Sequence, residues 1–197
     1  MSDKETVIAF LQTFKDNLLI PLAVEGMLCK EVIEEAAHAY LKELEIEKAT
    51  SEIIFIDKDG YWKDLHPLAS MKFVVDEVTY PSITHFRHAW KYRTVEDEAF
   101  DYIMKASTPE IAAKRGQLAL DSGTRAIADW EIGQEKQLKI AYRALLNEHP
   151  DLKKRLNDTP ASVPIKFTNT NDKYLGEGSD KTGENILPKI LKELRNE

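Results

Sequence analysis

Apolar positions recur at helical spacing towards both ends of the chain and break into short alternating runs in between. Over residues 3–19, Val7, Ile8, Leu11, Phe14 and Leu18 fall on one helical face, and Pro21 closes the segment. A second helix is expected over 25–47, with Val32, Ile33, Ala36, Ala37, Tyr40, Leu41 and Leu44 as its stripe. Ile53–Ile56 is a β-rich run, Asp57-Lys58-Asp59-Gly60 reads as a turn, and Tyr61-Trp62 begins a return. An alternating run over Lys72–Tyr80 carries Phe73, Val75 and Val78, so a small antiparallel sheet is expected. Helices then resume over Val95–Lys105 and from Ser107-Thr108-Pro109-Glu110 to Leu120. There a hydroxyl cap, a first-turn proline and an acid mark the start. A long helix is expected from Arg125 to Glu148. Residues 159–182 are rich in Pro, Thr, Asn, Asp and Gly, a loop with one strand at Ile165–Phe167. A last helix turns Ile190, Leu191 and Leu194 inward, with Pro188 tolerable in its first turn. The pattern predicts an α+β, mainly α domain over 51–197 with a small antiparallel sheet, preceded by a helical N-terminal extension over 1–50. That extension packs on the domain or serves a homo-oligomer or protein partner. Packing is favoured, because an exposed stripe of this size invites association.

The stretch Tyr80–Arg93, YPSITHFRHAWKYR, gathers the chemistry. Pro81 and Ser82 form a helix start. On helical spacing Thr84, Arg87, His88 and Lys91 share a face, while Ile83, Phe86 and Trp90 lie towards another. Such a face is either a solvated basic surface or a site presented on a packed helix.

Charge and cysteine usage narrow the classes. Lys+Arg 27 against Asp+Glu 34 leaves a net charge of −7, which argues against general binding of a nucleic-acid backbone yet permits a local phosphate pocket. Cys29 is the single cysteine, so an intrachain disulfide is excluded. The 5 histidines and this cysteine give no metal-ligand set, and His38 falls among small and apolar neighbours as a structural residue would. No cofactor is implied. The charged start MSDKETVIAF and the lack of an ~18-residue apolar run point to a soluble, cytoplasmic protein without membrane partners.

The tyrosine-proline-serine turn, then His85 and then Lys91 six positions on, resembles the signature helix of the NADAR superfamily, which includes the YbiA-like N-glycosidases. The family form has a glutamate before the histidine, and Thr84 stands there. Further elements follow in family order from about Phe55 to Arg195. Leu68-Ala69-Ser70-Met71 lies where a leucine-serine-asparagine-aromatic loop is common. Ala112-Ala113-Lys114-Arg115-Gly116 resembles an alanine-lysine-glycine stretch, whose cations either hold a phosphate or line a solvated turn. Arg125, Asp129 and Trp130 resemble an arginine, aspartate-tryptophan element. Trp130 is either a stacking platform for a base or a core anchor. His149, ahead of Pro150, reads as a helix cap. Asp172, Tyr174, Gly176 and Gly178 resemble an aspartate, aromatic-tryptophan-glycine-x-glycine loop, with Leu175 in the tryptophan position. Asn185 matches the asparagine before the last helix, and Arg195 the terminal arginine.

The resemblance implies cleavage of an N-glycosidic bond in an ADP-ribosyl-nucleobase or a ribosyl-phosphate conjugate, including riboflavin-pathway intermediates. Cation character builds on the anomeric carbon, and a carboxylate stabilises it. A lysine amine can instead attack that carbon and hold the sugar as an imine, provided burial or a neighbouring cation favours the neutral amine. Lys91 takes that role by resemblance, and Asp172 that of the acid, with Asp129 as the other candidate. Thr84, His85, His88, Asp129, Trp130, Tyr174, Gly176 and Asn185 are the implied binding residues. A neutral Thr84 is a poor stabiliser of a cation, and loss of one such group costs about a hundred- to a thousand-fold in rate. The alternative is an inactive scaffold that binds a nucleotide sugar or a protein.

Overall fold

The chain divides into Met1–Lys48 and Ala49–Glu197. The computed structural model describes residues 53–128, 130–167, 172–195 and Glu197, all in the second unit. The helices expected over 3–19 and 25–47, His38 and Asp129 lie outside the described residues.

Strand β1, Ile54–Ile56, alternates as a half-buried strand must: Ile54 and Ile56 are fully buried and Phe55 faces out. The expected return strand is absent. After β1, Asp57 Oδ1 accepts the amides of Asp59 and Gly60, and the chain leaves through a 3-10 turn at Lys63–Leu65. β1 pairs instead in parallel with β4, Ile165–Phe167, in the register Ile54↔Ile165 and Ile56↔Phe167. A turn sequence sets where a strand ends, not which distant strand it joins. The antiparallel hairpin lies within the second run, between β2, Phe73–Val75, and β3, Val78–Tyr80. Its two-residue turn is Asp76-Glu77, both at positive φ (49° and 66°), as a primed turn requires. Arg93 holds that turn through Asp76 Oδ2 at 2.7 Å and the Asp76 carbonyl at 3.1 Å.

The rest is helical. Helix α1, Ile83–Ala89, starts at Ser82, whose hydroxyl accepts the His85 amide at 3.2 Å. It tightens into a 3-10 turn at Trp90–Tyr92. α2 is Asp97–Met104, and α3 is Pro109–Asp121, capped by Thr108 with the Ile111 amide at 3.3 Å. α4 is Trp130–Glu148, α5 is Pro150–Asn157 and α6 is Ile186–Leu194. α4 starts later than the expected Arg125. The Ile127 amide is taken by the Lys91 carbonyl at 2.7 Å rather than by a helical turn. His149 does not cap α5 with its side chain; its Nε2 donates to the Lys72 carbonyl at 2.8 Å and ties α5 to the hairpin.

Two apolar cores flank α1. The larger joins Phe86 and Ile83 to both strand pairs, the inner face of α4 (Leu138, Tyr142, Leu145) and α6 (Leu187, Ile190, Leu191). The smaller packs Ala89 and Tyr92 against Ile103, Ala112 and Ala119 of α2 and α3. Each large side chain buried in this way stabilises by about 1.5–3 kcal/mol, so α1 is held from both sides. The architecture is α+β and mainly helical. Among the described residues no helix is long and apolar enough to cross a membrane.

Candidate active site on the central helix

Successive residues of α1 reach for different parts of the fold. Thr84, 6% exposed, donates its hydroxyl to the Pro67 carbonyl at 2.7 Å and pins the loop before β2. Buried His85 joins the Ala106 carbonyl through Nε2 at 3.1 Å and the Ser82 hydroxyl through Nδ1 at 2.8 Å. A carbonyl only accepts, so Nε2 carries the proton and Nδ1 accepts from Ser82. Burial pushes the His85 pKa down, in keeping with that neutral ring. Arg87 pairs with Asp172 and lies 5.4 Å from the centre of the Tyr174 ring. His88 backs onto Gly116 of α3, where a Cβ would come within 2.3 Å of its Nδ1. That nitrogen is buried and has no hydrogen-bond partner among the described residues. Burial, then the Arg87 and Lys91 charges, push the His88 pKa down to about 3.

Lys91 sits in the 3-10 turn, 9% exposed, with its amine 5.2 Å from the centre of the Tyr92 ring. Of the face expected for Thr84, Arg87, His88 and Lys91, the charges of Arg87 and Lys91 both act on His88. The last turn is wound at three residues rather than 3.6, and Thr84 points into the loop at Pro67. The backbone joins Lys91 to the tryptophan helix: its carbonyl accepts from Ile127, and the Ile127 carbonyl accepts from the Trp130 amide at 3.3 Å. The Trp90 and Trp130 rings lie 5.8 Å apart, and Trp130 remains partly exposed.

The tail loop is latched to the same helix. Asp172 Oδ1 accepts the amides of Tyr174 at 3.1 Å and Leu175 at 3.0 Å, while Oδ2 meets Arg87. Both Asp172 oxygens are therefore engaged in holding the loop. The Gly176 amide donates to the Asp172 carbonyl at 3.0 Å, and its carbonyl accepts from Asn185 at 3.3 Å. Gly183 has the tighter requirement: a Cβ there would lie 2.1 Å from the Gly176 carbonyl oxygen. Gly116, matched within the alanine-lysine-glycine stretch, and Gly183 carry packing requirements that the sequence pattern does not express. Asn185 caps α6 in the left-handed region at φ 56°, with a buried Oδ1 that has no partner among the described residues. Burial, then the Glu135 and Glu184 charges, push the Tyr174 hydroxyl up to about 12. Neither acid is among the binding residues implied by the resemblance, although Glu184 directly precedes Asn185. Arg115 donates to the Tyr102 carbonyl at 2.6 Å and lies over that ring, whereas Lys114 is exposed. No group of three or more His, Cys, Asp or Glu side chains suited to a metal occurs among the described residues.

No family model matches the chain. It is 28% identical over 145 residues to the N-glycosidase YbiA of Escherichia coli (strain K12), covering 74% of this chain and 87% of that protein. It is 28% identical over 130 residues to the chloroplastic riboflavin biosynthesis protein PYRR of Zea mays, covering 62% of this chain and 20% of that protein. It is 27% identical over 124 residues to the N-glycosidase Npun_R5314 of Nostoc punctiforme, covering 62% and 77%. The NMR structure of E. coli YbiA matches with a TM-score of 0.64 at 27% identity, over 74% of this chain and 84% of that one.

Proposed function

We propose that this chain, a divergent YbiA-like (NADAR) member, is an N-glycosidase acting on an ADP-ribosyl-nucleobase or a ribosyl-phosphate conjugate. The observation that carries this reading is the setting of Lys91: a sequestered amine in a tight turn, beside neutral His88 and joined through the backbone to the Trp130 helix. The Lys91 amine, once deprotonated, attacks the anomeric carbon as the bond from that carbon to the base nitrogen breaks. The base leaves with one amine proton; the bond from the anomeric carbon to the ring oxygen then opens, the second amine proton passes to that oxygen, and the open-chain sugar is held as a lysine imine. Water then adds, releases the free sugar and regenerates the amine. The partly exposed face of Trp130 supplies a stacking surface for the base.

Incubation of the full chain with ADP-ribosylated guanine, and separately with a phosphorylated riboflavin-pathway intermediate, tests the proposal. The expected result is base release that is lost in Lys91→Ala while binding is retained, together with a sugar–protein adduct trapped by borohydride. No turnover of either substrate at high enzyme concentration, with no trapped adduct, overturns it.

A non-catalytic nucleotide-sugar-binding scaffold is the second reading, and one observation favours it. Neither residue matched to a family acid offers an open carboxylate: Thr84 is neutral and bonded to Pro67, and Asp172 is engaged at both oxygens. Ligand binding without any borohydride-trapped adduct would select this reading.

A further inference from the structure

A groove of about 300 Å³ runs between the loop 161–165 and α6, and Lys91 is not among its lining residues. Its polar lining is Ser162, Asn185, Lys189, Lys192 and Arg195, with no carboxylate among the described residues. In a chain of net charge −7, three cations here without an acid are a local reversal of sign.

Arg195 makes this more than a surface patch. It is 2% exposed, and its two terminal nitrogens donate to the carbonyls of Val163 at 2.8 Å and Ala161 at 2.7 Å. Its Nε is buried without a partner, and no carboxylate pairs with the guanidinium among the described residues. Carbonyl dipoles offset a full buried charge only in part, so an anion nearby is favoured. Lys189 and Lys192 are spaced i, i+3 on α6, exposed at the same groove, and no ion pair engages either among the described residues. The larger cavity, about 390 Å³ beside His66, has no such bias. Lys58 and Lys63 there are balanced by Glu110 and Asp64, and Asp64 pairs with Arg155.

We propose that the α6 groove is a binding site for a small phosphate-bearing anion, separate from the Lys91 amine. Its volume is at the low end of the roughly 300–1,000 Å³ of ligand cavities, which suits a phosphate or phosphomonoester and not a dinucleotide. Lys189 and Lys192 supply charge-assisted donors, Ser162 a hydroxyl, and Arg195 the charge at the base. Asn185 lines the groove and also donates to the Gly176 carbonyl, so an occupant touches the residue that closes the tail loop.

Calorimetric titration of the full chain at low salt with inorganic phosphate, ribose 5-phosphate and AMP tests this. The expected result is saturable binding that weakens by about tenfold or more in Lys189→Gln/Lys192→Gln and is unchanged in Lys91→Ala. Both substituted lysines are exposed, and circular dichroism checks that the variant folds. Tighter binding of ribose 5-phosphate than of inorganic phosphate identifies a phosphomonoester as the ligand. Equal affinity identifies free phosphate. Binding that survives the double substitution, or that is lost in Lys91→Ala, overturns the proposal, as does no binding of any of the three.

Discussion

Gly116→Ala tests the contact between α1 and α3 directly. A Cβ at this buried helical position would lie 2.3 Å from His88 Nδ1 and 2.7 Å from both its Cβ and Cγ. Carbon atoms rest about 3.5–4.0 Å apart, so all three contacts are repulsive. Rotating the imidazole relieves two of them. The third involves Cβ, which moves only with the α1 backbone, and that backbone is packed between two cores. Overpacking costs about 1–3 kcal/mol, and replacing a mid-helix glycine by alanine returns about 1 kcal/mol. With one contact anchored to the backbone, the upper end applies, and the net expected loss is about 2 kcal/mol. Urea unfolding followed by circular dichroism, run as a double-mutant cycle with His88→Gly, gives the decisive comparison. Without the imidazole and its Cβ, Gly116→Ala meets open space and becomes stabilising by about 1 kcal/mol, a coupling of about 3 kcal/mol. Coupling below about 0.5 kcal/mol would refute the packing argument.

Asp172→Ala removes the acceptor for two amides and the partner of Arg87, and is expected to cost about 2–3 kcal/mol. Hydrogen exchange at Tyr174 and Leu175 should accelerate, less so in Asp172→Asn, and unchanged protection would contradict the latch. Thr84→Glu replaces a hydroxyl donor by a carboxylate facing a carbonyl at a 6% exposed position. It should lower the melting temperature without raising turnover; higher turnover at an unchanged melting temperature would show that the position tolerates the family acid. His88 titrates near 3 when folded and near 6.5 when unfolded, so the unfolded chain binds the extra proton between those values. Stability should be level above about pH 6.5 and fall below it, by up to about 1.4 kcal/mol per pH unit from this residue. Urea midpoints at about pH 7, 6 and 5 should fall less steeply in His88→Gln, with His66 and His85, also depressed, supplying what remains; equal slopes would refute this.

Local signals in the chain were read well where a short-range cause sets the structure. Ser82 and Thr108 cap the helices they were expected to cap, and Ile165–Phe167 forms a strand. The parallel partner of β1 was not legible, because no turn chemistry encodes pairing between strands far apart in sequence. The hairpin turn escaped notice because Asp76 and Glu77 occupy positions at positive φ that usually signal themselves by glycine or asparagine. The change from α to 3-10 winding at Trp90 was equally hidden.

The bond from Thr84 to Pro67 bears on the acid that a glycosidase needs. Drawn as one α-helix, the stretch puts position 84 two turns below Lys91 on a common stripe, so a residue there is expected to face the same ligand. In the fold, Thr84 is a strut to Pro67, and Asp172 is a strut to Arg87 and to the start of the tail loop. A motif aligned by sequence order fixes these positions, and the fold adds a structural bond at each. The acids whose charge is felt at the Tyr174 hydroxyl, Glu135 and Glu184, are not among the residues to which the resemblance gave a role. Both are exposed, as a carboxylate must be if it is to meet a substrate without first breaking a structural bond. If turnover survives in this divergent chain, the stabilising charge comes from a residue that the fold has left uncommitted. Among the acids described near the loop, that condition selects Glu135 and Glu184 over Asp172.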